Sequence, residues 1–280
     1  MRVPLRPVLA GAAVVLLLAA AAGGLWFTQG DPAPEPVPEA AEESLPLPPE
    51  PPRVADSPEY EECLGKLRDD AQGALSFAEA WEGQGGGDGA RHCSALATLA
   101  LGDPQRAATR LEALAARTPG TAARAAIFGQ AGQAWTVAGQ PSRAYGAFTL
   151  ALAITPNDVE LLVDRAIAAA ALGRFADALA DADRAIAQDS SVAEPWVFRA
   201  AALRRLERPQ EALRDIERAL SLDPGNPEAL LERGILRQLA GDEAGARADW
   251  ESVIAASPDS AAADLAQQNL ALNAAGPVRR

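Results

Sequence analysis

The 280-residue chain is 49% apolar but only 5% aromatic, and it carries a formal net charge of −13. Alanine runs through nearly every segment after Ala71, and no stretch alternates polar and apolar long enough for a sheet. Alanine loses no side-chain entropy in a helix and buries no polar group there, so the composition predicts an all-α body. Lys66 is the only lysine and the arginines form no basic stripe, so the acidity argues against nucleic acid as a partner.

Residues 1–30 hold Arg2 and Arg6 followed by an uncharged run from Val8 to Phe27. The run matches the roughly 20 residues a helix needs to cross a bilayer. Trp26 and Phe27 close it where interfacial aromatics lie. Positive charges before it and acidic residues after it favour an N-inside, C-outside anchor. The competing reading is a cleaved signal peptide, with Ala20-Ala21-Ala22 before Gly23 and a shorter apolar core from Val8 to Leu18. No cysteine follows until Cys63, which disfavours a lipoprotein. Either way the body is expected outside the cytoplasm. The Arg-rich, Lys-poor usage suggests a Gram-negative cell, hence an inner-membrane anchor with a periplasmic body, or a protein secreted to the periplasm if the segment is cleaved.

Residues 31–58 contain ten prolines, and residues 31–62 hold ten Asp or Glu against one Arg. Such a segment lacks backbone donors, favours polyproline II and is stretched by like charges. It reads as a spacer, with a Pro-rich docking motif as the alternative.

Beyond the spacer the sequence repeats. Gly139, Gly173, Glu207 and Gly241 are equally spaced, and Ala144, Ala178, Ala212 and Ala246 stand five residues after them. Pro156, Ser190, Pro224 and Pro258 follow at the same interval, and small residues recur at Gly132, Ala166, Ala200 and Gly234. A fixed period of about 34 residues is the mark of a stacked repeat. The pattern resembles the tetratricopeptide repeat (TPR), which has two antiparallel helices in each unit. The resemblance implies a right-handed α-solenoid in which the small residues let helices A and B approach closely. On this register residues 59–124 are degenerate first repeats, with Ala74 and Trp81 in one and Gly102, Ala107 and Pro119 in the next. Residues 125–260 are four regular repeats, and 261–280 a capping helix with a polar outer face and a tail.

Arg165, Arg199 and Arg233 share one repeat position, and Asp181, Asp215 and Asp249 another, sixteen residues later; in the repeat 125–158 both become alanine, Ala131 and Ala147. Residues that come and go together predict an ion pair bridging helices A and B, for which the planar guanidinium is suited. Cys63 and Cys93 fall in the A helices of the first two units, which pack side by side in such an array, and an oxidising compartment then allows a disulfide between them. A redox or metal pair is the alternative, without CxxC spacing or clustered histidine to support it.

No catalytic constellation, metal cage or cofactor motif is found. His92, the only histidine, adjoins Cys93, but adjacent helical residues do not face each other, and a buried or capping role is expected. The glycine-rich Gly83–Gly89 lacks the following Lys-Ser/Thr of a phosphate cradle. The chain reads as a non-enzyme that binds other proteins. In the TPR family binding lies in the concave groove of A helices. That implies a lining of Glu160, Val163, Ile167 and Ala171, then Glu194, Val197, Ala201, Arg204 and Arg205, then Glu228, Leu231, Ile235, Gln238 and Leu239. This lining suggests a largely apolar groove with a small basic spot at Arg204 and Arg205, suited to an apolar helix or extended segment. It lacks the Lys and Asn cluster with which heat-shock co-chaperones capture acidic C-termini. Partners would be envelope assembly or maturation factors, and a chaperone-like subunit holding unfolded clients for a maturation machine is the alternative.

Overall fold

The computed structural model describes residues 54–275. The expected anchor or signal segment, the Pro-rich spacer through Arg53 and the last five residues lie outside the described residues. Among the described residues there are thirteen α-helices and no strand, and no helix is long and apolar enough to cross a membrane. The helices pair as α1 (Pro58–Lys66) with α2 (Ala71–Gly83), α3 (Gly87–Ala100) with α4 (Pro104–Ala115) and α5 (Thr121–Val137) with α6 (Pro141–Leu152). The series continues with α7 (Val159–Ala171) and α8 (Phe175–Gln188), α9 (Ala193–Arg205) and α10 (Pro209–Leu222), α11 (Pro227–Leu239) and α12 (Glu243–Ala256), and ends on α13 (Ala261–Ala275). Odd-numbered helices are the A helices and even-numbered ones the B helices. Each helix packs on the next, and α5, α7, α9, α11 and α13 also touch one another in series, whereas successive B helices make no comparable contact. The A helices therefore form the inner, concave side.

The residues that begin and end the helices follow from their backbone chemistry. Ser57, Asp70, Asp103, Asp158, Asn226 and Asp242 each accept a hydrogen bond from a backbone N–H in the first turn, and proline opens α1, α4, α6, α10 and α11. An oxygen cap satisfies an orphan donor, and proline has no N–H to orphan. Helices α3, α5, α7, α9 and α11 end on a residue with positive φ: Gly102, Gly139, Gly173, Glu207 and Gly241. After it a backbone N–H reaches back, as from Arg174 to the carbonyl of Ala169 and from Arg208 to that of Leu203, both at 2.9 Å. This Schellman closure favours glycine, which has no Cβ to clash in the left-handed region.

Close approach at the small residues sets the A–B crossing. A Cβ on Gly132 would lie 2.5 Å from the ring of Phe148, and one on Gly234 would lie 2.3 Å from the indole of Trp250. Each aromatic is sixteen residues further on and fully buried, so the missing side chain of helix A is the space the ring of helix B fills. One position along, the charged pairs do the corresponding work. Arg165 grips Asp181 through Nη2 (2.6 Å) and Nε (2.8 Å), Arg199 grips Asp215 (2.7 Å through each), and Arg233 grips Asp249 (2.7 and 3.0 Å). Asp181, Asp215 and Asp249 are buried. Asp249 is also held by Arg237 at 2.7 Å, and Asp181 lies 3.6 Å from Arg184. The charge left stranded is therefore that of Asp215, where removing Arg199 is expected to cost about 3–5 kcal/mol. Arg199 also donates to Asp183 of the preceding B helix at 2.9 Å, so that pair ties neighbouring repeats as well.

Two departures from the expected register are instructive. Helix α5 starts at Thr121, four residues before the repeat boundary at 125, and has 17 residues against 13 in α7, α9 and α11. The insertion is absorbed as an extra helical turn, which its alanines favour. The capping helix α13 is not wholly polar outside: Leu265 and Leu272 are 50% and 65% exposed.

The first unit is held by covalent and polar ties. Its helix α1 has nine residues, too few to be stable alone. A disulfide joins Cys63 to Cys93, with Cα atoms 6.3 Å apart. The glycine-rich stretch is a packing surface for Trp81: a Cβ on Gly86 or Gly89 would lie 2.7 or 2.8 Å from its ring. His92 is buried and sits between the Tyr60 hydroxyl at Nδ1 and the Gln130 carbonyl oxygen at Nε2, each 2.6 Å away. The neutral ring with its proton on Nε2 satisfies both contacts, since the tyrosine then donates to Nδ1. The chain Tyr60–His92–Gln130 links α1, α3 and α5.

Two measurements follow. Glu207 is the only non-glycine with positive φ among the described residues, at 61°. Its replacement by glycine relieves a left-handed side chain and is expected to stabilise the protein by about 0.5–1 kcal/mol; a urea midpoint that falls or stays level would contradict this. Burial lowers the His92 pKa below 6.5. Above pH 6.5 the ring is neutral whether the chain is folded or not, and the stability is intact; as pH drops the unfolded chain binds the proton first. Stability is therefore lost below pH ~6.5 down through the folded-state pKa. His92→Gln should remove that part of the pH dependence, and identical pH profiles for the two proteins would refute the assignment.

Candidate functional site

The ion pairs and the disulfide are engaged inside the stack, and the concave face is a candidate binding surface. The structure redraws the lining expected there. Val163, Val197 and Leu231 are 3%, 4% and 9% exposed and belong to the buried clusters of their own repeats. At the fifth position of an A helix a branched side chain closes the seam with the neighbouring A helix, so these three are packing residues, not groove lining. Ile167, Ala201 and Ile235 are half-buried, and Gln238 and Leu239 are exposed. The expected basic spot is also occupied: Arg204 donates to both carboxylate oxygens of the buried Glu232 on α11, and Arg205 stacks 4.4 Å above the ring of Phe175.

What remains is acidic. Glu160, Glu194 and Glu228 hold the second position of α7, α9 and α11, one per repeat, and all three are exposed. Asp164 adds a fourth carboxylate, accepting a hydrogen bond from the Gln133 amide at 3.1 Å. None of the four is in an ion pair among the described residues. Burial pushes the Glu194 carboxyl above its ordinary pKa, and repulsion from Asp164, Glu228 and Glu160 adds to it. Asp164 is raised likewise, first by burial and then by Glu160 and Asp158, against the lowering effect of Gln133. Glu160 and Asp164 are one turn apart on α7, and Glu160, Glu194 and Glu228 recur at one repeat position, so the four share one side of the array.

At the α5–α7 end of this surface a cleft of about 320 Å³ opens, lined by Gly129, Gln130, Gln133, Thr155, Asp158 and Glu160 among others. Gly129 stands at the position that Val163, Val197 and Leu231 fill in the later repeats, and a Cβ there would lie 2.8 Å from Leu161. The Leu161 side chain fills the place of that missing side chain. The carboxylate ladder was readable in the sequence as a glutamate recurring once per repeat. It is hidden when each position is weighed as apolar or polar separately and only the apolar ones are followed.

Residues 163–227 and 198–271 each match a family model described as tetratricopeptide repeat. Comparison with curated proteins finds no match. Among solved structures, pilF of Pseudomonas aeruginosa is similar with a TM-score of 0.57 at 16% identity, over 75% of this chain and 96% of that one. MamA from Desulfovibrio magneticus RS-1, residue 41 to its end, gives 0.53 at 19% identity, over 62% and 97%. A chain of the APC/C hetero-tetramer Cut9-Hcn1 gives 0.58 at 15% identity, over 76% of this chain and 42% of that one. At these identities the likeness is one of fold. The repeating helix pairs, the small-residue crossings and the two matching models make this chain a member of the tetratricopeptide-repeat family.

Proposed function

We propose that this protein is a non-catalytic interaction scaffold, held outside the cytoplasm by its N-terminal segment, whose concave face binds a protein segment bearing basic side chains. The observation that carries this reading is the row of unpaired carboxylates, Glu160, Asp164, Glu194 and Glu228. Side chains that repel one another while partly desolvated are stabilised when a cation is brought to them, and complementary charge also speeds encounter and sets register. The half-buried Ile167, Ala201 and Ile235 between them offer the apolar floor that an extended or helical segment needs. We therefore take a basic segment as the ligand, in place of the apolar helix or extended segment expected from the sequence. The Cys63–Cys93 disulfide is consistent with an extracytoplasmic placement, where thiols are not kept reduced.

The test uses a synthetic peptide alternating arginine and alanine, with an acidic peptide of equal length as control. The full chain should bind only the basic one, with affinity falling as salt rises. The triple substitution Glu160→Gln, Glu194→Gln, Glu228→Gln alters exposed side chains and leaves the core intact; it should weaken binding by about tenfold. Equal binding of both peptides, or binding indifferent to the substitutions, would overturn the reading and point to a holding role for unfolded chains.

A further inference from the structure

We propose that the protein has an oxyanion site, for a carboxylate or phosphate group, at Arg110 in the cleft between α2, α3 and α4. The repeat register identifies it. In three later repeats an arginine on helix A grips an aspartate sixteen residues on, always through its Nε and Nη2 edge. In the repeat of α3 and α4 the same two positions hold Ser94 and Arg110, so helix B supplies the guanidinium and no residue supplies the carboxylate.

The geometry shows which edge is free. Arg110 donates from Nη1 to the hydroxyls of Ser94 (2.8 Å) and Thr98 (2.9 Å), which fixes the plane of the guanidinium. Its Nε and Nη2 make no hydrogen bond, and no ion pair to Arg110 is formed among the described residues. That edge presents parallel N–H groups matched to two oxygens of one carboxylate or phosphate. Arg110 lines a cleft of about 320 Å³ together with Ser94, Glu79, Glu82, Arg91, Ala113 and Arg117. Glu82 is engaged by Arg91 at 2.7 Å, and Arg117 is held only loosely, 3.6 Å from Asp88. Glu79 is exposed and unpaired among the described residues; it is the one lining carboxylate left to compete. The equivalent cleft over α9 contains Arg199 and Asp215, already paired with each other, together with Asp183. An external oxyanion at Arg110 takes the place that aspartate fills in the later repeats, and the site is independent of the concave face.

The experiment titrates the full chain with inorganic phosphate, with acetate and with an acetylated acidic tripeptide, at ionic strength held constant with chloride, by calorimetry. Saturable binding of at least one probe is expected. Phosphate alone would indicate a phosphate ligand, and acetate with the tripeptide a carboxylate one. Arg110→Gln should lower that affinity at least about tenfold. Arg106→Gln, removing an exposed charge from the same helix, should leave it unchanged, and Glu79→Gln should tighten it. Should Arg110→Gln fail to fold, the Nε–H resonance of Arg110 in the unsubstituted chain provides the readout and should move on titration. No saturable binding, an unmoved resonance, or equal affinity in the wild type and Arg110→Gln would overturn the proposal.

Discussion

An alanine-rich helix pair has little side chain with which to hold its partners apart, and almost everything in this structure follows from that closeness. Two such helices bury few apolar atoms between them, and isolated pairs of this length are marginal. Stacking six pairs removes both faces of each interior pair from water and makes the core continuous along the array. Alanine supplies most of it, and the few large residues, Trp135, Phe148, Ile216 and Trp250, are nearly or wholly buried. Bulk is admitted where the facing residue shrinks to glycine, as at Gly132 with Phe148 and Gly234 with Trp250.

Packing this sparse gives little protection against slippage of one helix along another, since alanine ridges are shallow. The bidentate pairs Arg165–Asp181, Arg199–Asp215 and Arg233–Asp249 resist it. A buried pair contributes little net stability over an apolar replacement, but it accepts only one register. Where the pair is absent, in α5 and α6, a different polar tie stands nearby: the Trp135 indole donates to Glu112 at 2.8 Å. In α3 and α4 the tie is Arg110 to two hydroxyls. Three of the regular units are thus fastened within themselves by a bidentate ion pair, and the fourth is tied through Trp135 to the preceding unit.

The fold was legible because a repeat period is a long-range signal that many residues carry at once. Ion pairs sixteen residues apart were legible for the same reason, each recurring three times. What was hidden depends on relations that do not recur. Arg204 and Glu232 sit on different repeats and belong to one seam only, so no second example reveals them, and from sequence Arg204 reads as a free basic residue. Val163, Val197 and Leu231 lie at a position that borders groove and seam together. Only the distance between neighbouring A helices decides which they serve, and that distance is set by the partner helix, not by the residue. The extra turn of α5 was open for another reason: an alanine-rich insertion is compatible with either helix or loop until the next repeat fixes the far end.

A repeat array copies its surface as faithfully as its core, and on the concave side the copying has a cost. Glutamates at one position of α7, α9 and α11 are brought near one another by the packing that stabilises the stack, and Asp164 joins them. The three glutamates also sit in the first turns of α7, α9 and α11, where the helix dipole favours a negative side chain, although the seams between helices make no use of them. Arg204 and Arg205 stand at the other end of α9, in its last turn, and are engaged there by Glu232 and by the ring of Phe175. A row of like charges with no ion-pair partner among the described residues is an arrangement that complementary charge on a partner would relieve.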